Sequence, residues 1–435
     1  MNVLVWLRRD LRIGDHAALA LAAQRGRVLP VWLAEPALWR APSSSARQWA
    51  FVAETLTSLR ADLAGLGLPL VIRTGDARAQ LERLVRAHDI SEVITLRGAG
   101  TMPGPATAGA AWARAAGLRW TELEAGAEIG PLPERIVPVP GVEPGVLPSA
   151  RALGLADDPC PHRQAGGWAS AQILLEKLGR MQTAPTHPLM AERASSRLSP
   201  HLAWGAIAPG ELAAVPGMGG RHLRAGLARR AQALSRWEGG GTGSGPADRG
   251  VLAAWEAGET GLPFLDACLR YLRATGWLHH RLRAMLAGSA LRVFGLEAQA
   301  AHDLLGRRFT DFDPALHGVA MEAAAHLPLA QCDAVGQGLR LDPDGTFIRR
   351  WLPELAPVPG DHLHRPWRWE GAARLLGRRY PEPLLDPAST LRALREASPP
   401  RDPRPRRPVV PVILLEGDAP ARPRGSSGQQ LQLDL

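Results

Sequence analysis

Ser195, Ser196, Arg197, Leu198, Ser199 and Pro200 run together as SSRLSP, so three hydroxyls and a guanidinium stand directly ahead of a proline. Ser199 suits a helix N-cap and Pro200 the first helical position, and a helix is expected to begin there with unpaired N–H groups facing outward. Backbone donors, hydroxyls, the Arg197 charge and the helix dipole could then act together on a pyrophosphate. An ordinary capped helix has the same pattern, so the segment alone leaves both readings open. Further along, His279-His280-Arg281-Leu282-Arg283 opens an expected helix in which His280 and Arg283, three apart, share a face. The run Phe309 to His317, FTDFDPALH, places Asp311, Asp313 and His317 on a loop after a helix that holds Arg307 and Arg308. Carboxylates beside arginines are commonly plain ion pairs, and alone these suggest no particular chemistry.

The elements that must position these residues fall into two groups. Short apolar runs at Val3 to Leu7, Val28 to Leu33, Leu68 to Ile72, Glu92 to Leu96 and Leu118 to Leu123 have the length and β-branched content of buried strands. Helical patterns lie between them, as at Gln48 to Leu66 and at Ala79 to His88, where Leu81, Leu84 and Val85 share a face. Strands alternating with helices predict a doubly wound parallel sheet, an α/β domain over residues 1–130. Six prolines from Pro131 to Pro148 break every period, which marks residues 131–161 as a Pro-rich linker. Residues 162–398 carry helical patterns without clear strands and should form an all-α C-terminal domain. Within it, Phe264, Leu265, Cys268, Leu269 and Leu272 make a core face, Gly276 can end that helix, and another starts near His279. Residues 399–435 are rich in Pro, Arg and Ser, cannot bury enough apolar surface, and read as a disordered tail.

The chain has 435 residues, a formal charge of +9 and a sequence pI near 10.7. That charge would suit phosphates, yet Lys177 is the only lysine, and a codon bias toward arginine would produce the same balance. The first strand runs into Arg8-Arg9-Asp10-Leu11-Arg12, at the carboxyl end of a parallel sheet where ligands bind. No G-x-G-x-x-G follows, which argues against a nicotinamide-dependent dehydrogenase. A salt-bridged turn tying the domains together is the plainer reading. Gly239 to Gly245 (GGGTGSG) looks like a flexible loop, with no strand ahead of it to make a phosphate cradle. Cys160, Cys268 and Cys332 are scattered, which argues against a zinc site, a disulfide framework or an iron–sulfur cluster, so no metal is expected. There is no signal-peptide pattern and no apolar run approaching the ~18 residues that span a bilayer. A cytoplasmic, membrane-independent protein is expected.

Together these segments resemble the photolyase/cryptochrome family, as a divergent bacterial member similar to deoxyribodipyrimidine photolyases. LVWLRRDLR, SSRLSPHLAWGAI, AWEAGETGLPFLDACLRYLRATGW, HHRLR, DFD and DPDGTFIRRWLPELAPVP follow in the family's order, up to about Trp369. The resemblance implies an antenna-type α/β domain and a helical domain enclosing a U-shaped FAD. Ser195, Ser196, Arg197, Leu198 and Ser199 would surround the FAD phosphates. Arg283 would pair with Asp311 near the isoalloxazine, and Asp313 would approach the flavin or its ribityl side. His280 stands where many relatives carry Asn, and His317 stands where the family faces flavin N5, which makes it the catalytic candidate. An anionic reduced flavin needs nearby positive charge or donors, a need that Arg283 would meet. His317 could donate or accept according to its protonation.

The implied function is light-driven splitting of cyclobutane pyrimidine dimers in damaged DNA by electron transfer from reduced FAD, with the dimer taken out of the duplex stack. A monomer is expected, and a folate or lumazine antenna chromophore is compatible with the resemblance. Three departures bear on activity. The stretch ARRAQALSRWEGGGTGSGPADRG is short and Gly-rich where relatives continue a helix, with Trp237 as its possible remnant, Met321 stands about where they carry the tryptophan nearest flavin, and LRVFGLEAQ lacks the next tryptophan. Routes through Trp255 or Trp277 are conceivable, although core packing suits both better. The alternatives are a cryptochrome-like blue-light photoreceptor without repair, and a degenerate member that binds FAD weakly.

Overall fold

The computed structural model describes residues 1–97, 105–124, 127, 129–180, 196–216, 224, 226–228, 230–233 and 248–397. β1 (Asn2–Leu7), β2 (Arg27–Ala34), β3 (Val71–Thr74), β4 (Ile90–Leu96) and β5 (Arg119–Leu123) form one parallel sheet in the order β3-β2-β1-β4-β5. β1 and β2 are almost continuously apolar because both faces of the sheet are covered there. In β1, Val3, Val5 and Leu7 enter one core while Leu4 and Trp6 enter the other. Helices α1 (Ala17–Arg25), α2 (Pro36–Trp39) and α3 (Ala46–Gly65) cover the first face, and α4 (Ala77–Ala87) and α5 (Pro105–Ala115) the second. Leu56, Leu59 and Leu63 of α3 lie almost wholly out of water, each burial contributing about 1.5–3 kcal/mol. The predicted doubly wound α/β half is therefore present.

Two expectations shift. The third strand begins at Val71 rather than Leu68, because the Leu68 N–H bonds back to the Leu63 carbonyl at 2.9 Å and closes the exit of α3. The Pro-rich segment is not a bare tether. Val28 donates to the Val137 carbonyl at 2.9 Å, Ile72 to that of Pro144 at 2.7 Å, and Ile136 to that of Leu66 at 2.8 Å. The segment thus accepts from Ile72 at the β3 edge and from Val28 of β2, donors that would otherwise stay unpaired, and is itself tied to the exit of α3 through Ile136.

The second half is helical, with no strand among the described residues beyond an isolated bridge between Leu376 and Tyr380. Pro263–Thr275 packs Phe264, Leu265, Cys268, Leu269 and Leu272 into its core, as the spacing predicts. Gly276 ends that helix at φ 68°, and a Cβ there would fall 2.2 Å from Thr310 Oγ1, so this backbone approach requires glycine. The Gly276 carbonyl accepts the Thr310 N–H at 2.9 Å, which pins the loop leading to Asp311. His279 caps His280–Gly288 through Nδ1, which accepts from the Arg281 N–H at 3.3 Å. Residues 399–435, the expected disordered tail, and the GGGTGSG loop with Trp237 lie outside the described residues. No helix among the described residues is long and apolar enough to cross a membrane.

The two halves are locked through buried arginines. Arg47 grips Asp158 with two bonds of 2.6 Å and donates to the carbonyls of Leu272 and Arg308, both at 3.2 Å. The Arg8–Arg12 turn ties the halves together, as its plainer reading expects: Arg9 donates to the Phe312 carbonyl at 2.8 Å and Arg12 to that of Gly205 at 3.3 Å. Arg47→Ala would leave Asp158 to Arg308 alone and strand two carbonyls. It should cost about 1–3 kcal/mol, read as a lowered urea midpoint, and an unchanged midpoint would contradict this role.

Candidate functional site

A cavity of about 970 Å³, counting the space open at its mouth, lies within the helical half. Of the residues singled out from sequence, Ser196, Ser199, His280, Arg283, Asp311, Asp313 and His317 line it. His280 and Arg283 come from one face of the His280–Gly288 helix, as their spacing predicts, and the Phe309 to His317 segment supplies the opposite residues. Trp277, Leu278, Phe309, Phe312, Leu316 and Met321 give the remaining wall an apolar, partly aromatic character.

Arg283 and Asp311 form a bidentate pair, Nη1–Oδ1 3.0 Å and Nη2–Oδ2 2.7 Å, with the guanidinium 4.2 Å over the Phe309 ring. Arg283 Nε donates to the Leu278 carbonyl at 2.6 Å, which fixes the fork from behind. Asp313 is not on a free loop. It caps the Pro314–Ala324 helix, its Oδ1 accepting from the Ala315 and Leu316 amides at 3.1 and 3.2 Å. His317 accordingly sits within that helix, where proline at its first position permits helix directly after Asp313. Arg307 and Arg308 follow the Ala298–Gly306 helix and serve Glu256 and Asp158 instead of the site aspartates.

His317 packs against His302, Phe309 and Phe312, and its Nε2 lies 3.1 Å from the His302 carbonyl. A carbonyl only accepts, so Nε2 carries the proton and Nδ1 keeps its lone pair. Burial, with His302 nearby, pushes its pKa down to about 3. The expectation that His317 donates or accepts is thereby narrowed: near neutral pH it is a neutral imidazole with an accepting Nδ1.

The serine-rich segment departs from its reading. Ser199 is the first residue of a short helix, Ser199–Ala203, and Leu198 occupies the cap position without a side-chain bond. A helix of five residues sums little dipole, so the capped-helix argument for anion binding fails here. What remains are side chains. Ser199 Oγ accepts from Trp277 Nε1 at 3.1 Å, and Ser196 Oγ accepts from the Leu198 N–H at 3.4 Å. Arg197 has a left-handed backbone, φ 50°, uncommon outside glycine, and places its guanidinium 5.2 Å over the Trp277 ring. Its Nε and Nη2 are buried and bond no acceptor. Buried donors left so cost about 1–3 kcal/mol, which an anionic acceptor would recover. Leu198 packs into an apolar cluster with Ala171 and Leu175 and does not line the cavity, and Ser195 lies outside the described residues.

One arginine escaped the sequence reading, and another was marked there only as part of the charged turn after the first strand. Arg230 lines the cavity and reaches Asp313 Oδ2 at 3.0 Å, both side chains nearly without exposure. Arg9, from the end of β1, lies 4.0 Å over the Trp204 ring, and Trp204 Nε1 donates to the Thr310 carbonyl at 3.0 Å. Arg230 belongs to the abridged stretch, where no motif marked it. Trp277 lines the cavity as well as packing in the core, whereas Trp255 is buried against Phe294. Met321 lines the cavity where a tryptophan was expected of the family. No group of His, Cys, Asp or Glu among the described residues could hold a metal ion.

A parallel α/β domain joined to a helical domain with a charged, partly aromatic pocket defines a class of two-domain proteins with a ligand-sized cavity in the helical half. The chain belongs to the photolyase/cryptochrome family: residues 3–124 match the family DNA photolyase, and residues 201–398 match the FAD binding domain of DNA photolyase. It is 29% identical to the deoxyribodipyrimidine photo-lyase of Salmonella typhimurium, over 88% of this chain and 95% of that protein. It is 26% identical to cryptochrome-1 of Sinapis alba, over 88% of this chain and 93% of that protein. Its fold is shared with a bacterial class III photolyase from Agrobacterium tumefaciens, TM-score 0.77 at 22% identity, covering 91% of this chain and 96% of the other. FAD is the cofactor that this membership assigns.

The low His317 pKa sets a pH dependence. The unfolded chain binds the imidazole proton near pH 6.5 and the folded chain near 3. This stability is therefore present in full above about 6.5 and is lost as pH falls toward 3. His317→Gln should flatten the fall of stability with pH in that window by up to about 1.4 kcal/mol per pH unit. Urea midpoints measured across the window check this, and parallel curves for the two proteins would contradict it.

Proposed function

We propose that this chain is a light-driven DNA repair flavoprotein, a photolyase-type lyase that splits cyclobutane pyrimidine dimers in damaged DNA. The observation that carries the reading is the gathering around one cavity of Ser196, Ser199, the Arg283–Asp311 fork and His317, with Arg197 outside the lining but over the ring of the lining Trp277, its buried Nε and Nη2 bonding no acceptor. In this reading Ser195, Ser196, Arg197, Leu198 and Ser199 hold the FAD diphosphate, Leu198 through its backbone only. His280, Arg283, Asp311, Asp313 and His317 surround the ring and ribityl chain. When bound, reduced FAD supplies the electron that opens the cyclobutane ring.

The chain's own residues have separate tasks. Arg197 offers Nε and Nη2 to phosphate oxygens as charge-assisted donors. Arg283, held by Asp311 and the Leu278 carbonyl, presents a fixed donor face with no rotamer to reorganise. His317 offers the Nδ1 lone pair to an N–H on the ring and supplies no proton. The apolar wall excludes water, which strengthens each of these interactions. The positive net charge favours DNA phosphates, while the pocket takes the flipped lesion.

The proposed division is an antenna-type domain at 1–130, a Pro-rich connection at 131–161, an FAD-binding domain at 162–398 and a tail at 399–435. The protein would act as a cytoplasmic monomer, with any folate or lumazine chromophore in the N-terminal domain. Met321, in the wall where relatives carry a tryptophan, favours as second reading a cryptochrome-like photoreceptor that repairs nothing. Light-dependent change in proteolysis of the tail, without repair, would mark that case.

Reduced, FAD-loaded protein illuminated with a dimer-containing oligonucleotide should return intact pyrimidines, and an unchanged dimer overturns the repair reading. Arg197→Ala should weaken FAD binding about tenfold or more, the loss of one charged hydrogen bond, with the fold retained by circular dichroism. Undiminished affinity would remove Arg197 from the phosphate site.

A further inference from the structure

Arg283 keeps an N–H on each terminal nitrogen to donate but does not provide the free positive charge expected of it, because Asp311 balances that charge through bonds of 3.0 and 2.7 Å. The excess lies deeper. Arg230 touches only Oδ2 of Asp313, at 3.0 Å, while Oδ1 serves the amides of Ala315 and Leu316. Arg9 donates to the carbonyls of Phe312 and Ala203 and, among the described residues, pairs with no carboxylate of its own. Burial lowers its pKa to about 10, with Asp313 raising it and Arg230 lowering it, so it remains protonated. Two guanidinium groups thus share one carboxylate. Among the described residues, two arginines of this wall, Arg230 and Arg283, together with Arg9 behind it, meet two aspartates, and His317 is neutral. One positive charge is left beside Phe309, Phe312, Leu316 and Met321, apolar neighbours that screen it less than water would.

We propose that Arg230 gives this pocket a standing preference for an anionic ring, and so for reduced over oxidised flavin, acting through the charge it shares with Asp313. The inference rests on the flavin reading of the cavity and adds the residue that sets the redox poise. A buried unpaired cation favours whichever bound form carries the opposite charge. The preference appears as a ratio of affinities for the two forms, and that ratio is a shift in midpoint potential. Nothing in this requires Arg230 to touch the ring.

The test uses the full chain loaded with FAD, titrated anaerobically with dithionite against a reference dye and followed by the flavin spectrum. Arg230→Gln should bind oxidised FAD within about threefold of wild type, by fluorescence quenching, while losing about tenfold or more for the reduced form. Tenfold corresponds to a midpoint lower by about 30 mV for a two-electron couple. Arg230→Lys should restore most of the shift, and Asp313→Asn, which removes the compensating charge and keeps a capping side chain, should move the midpoint upward. Should Arg230→Gln not fold, Asp313→Asn carries the test alone. An FAD-loaded variant with unchanged midpoint, or with equal loss of both forms, overturns the inference by leaving Arg230 a purely structural role. A wild-type chain that takes up no FAD overturns the flavin reading beneath it as well.

Discussion

Asp313 has 1% of its surface exposed, and each of its oxygens has a separate task. One caps the Pro314–Ala324 helix and the other holds Arg230. A carboxylate in such a place is costly unless every lone pair is answered. Answering it brings together the start of the helix that carries His317 and Met321, a guanidinium from a segment far earlier in the chain, and, through the field of Arg9, the end of β1. The cavity wall takes its shape from that requirement. Without that charge Arg230 would lose the carboxylate that holds it out of water, whereas Arg9 would keep the Phe312 and Ala203 carbonyls.

The N-terminal domain takes part in building the pocket. Gln48 of α3 donates to the carbonyls of Gly306 and Phe309 at 3.0 and 3.1 Å, Arg9 to that of Phe312, and Trp204 to that of Thr310. These bonds fix the backbone on which Asp311 and Asp313 stand. Side chains precise enough to hold a ring need rigid support of this kind. The pocket's geometry therefore depends on contacts between halves that could be mistaken for mere packing.

Much of this was legible in the residues. Apolar runs of strand length, alternating with helical periods, are what a sheet covered on both faces demands, and β1 and β2 lie where those runs stand. The helix ending at Gly276 and its successor were equally plain, because a left-handed cap and a three-residue spacing are local properties. Arg283 and Asp311 found each other as the family resemblance implied. Ser199 misled, since a serine before a proline reads as a cap whether or not a long helix follows. Arg230 was invisible as a site residue, and Arg9 stood out only as part of a charged turn, because the carboxylate that relates them is remote in sequence from both. The tautomer of His317 depends on a backbone carbonyl from another helix, which no spacing reveals.

The central claim is that this cavity is made for a flavin dinucleotide. The absorbance spectrum of the purified chain, with the extracted cofactor counted against protein, tests it most directly. One FAD per chain, retained through gel filtration or taken up on addition, is the predicted result. A colourless protein that gains no flavin absorbance when FAD is supplied would contradict it.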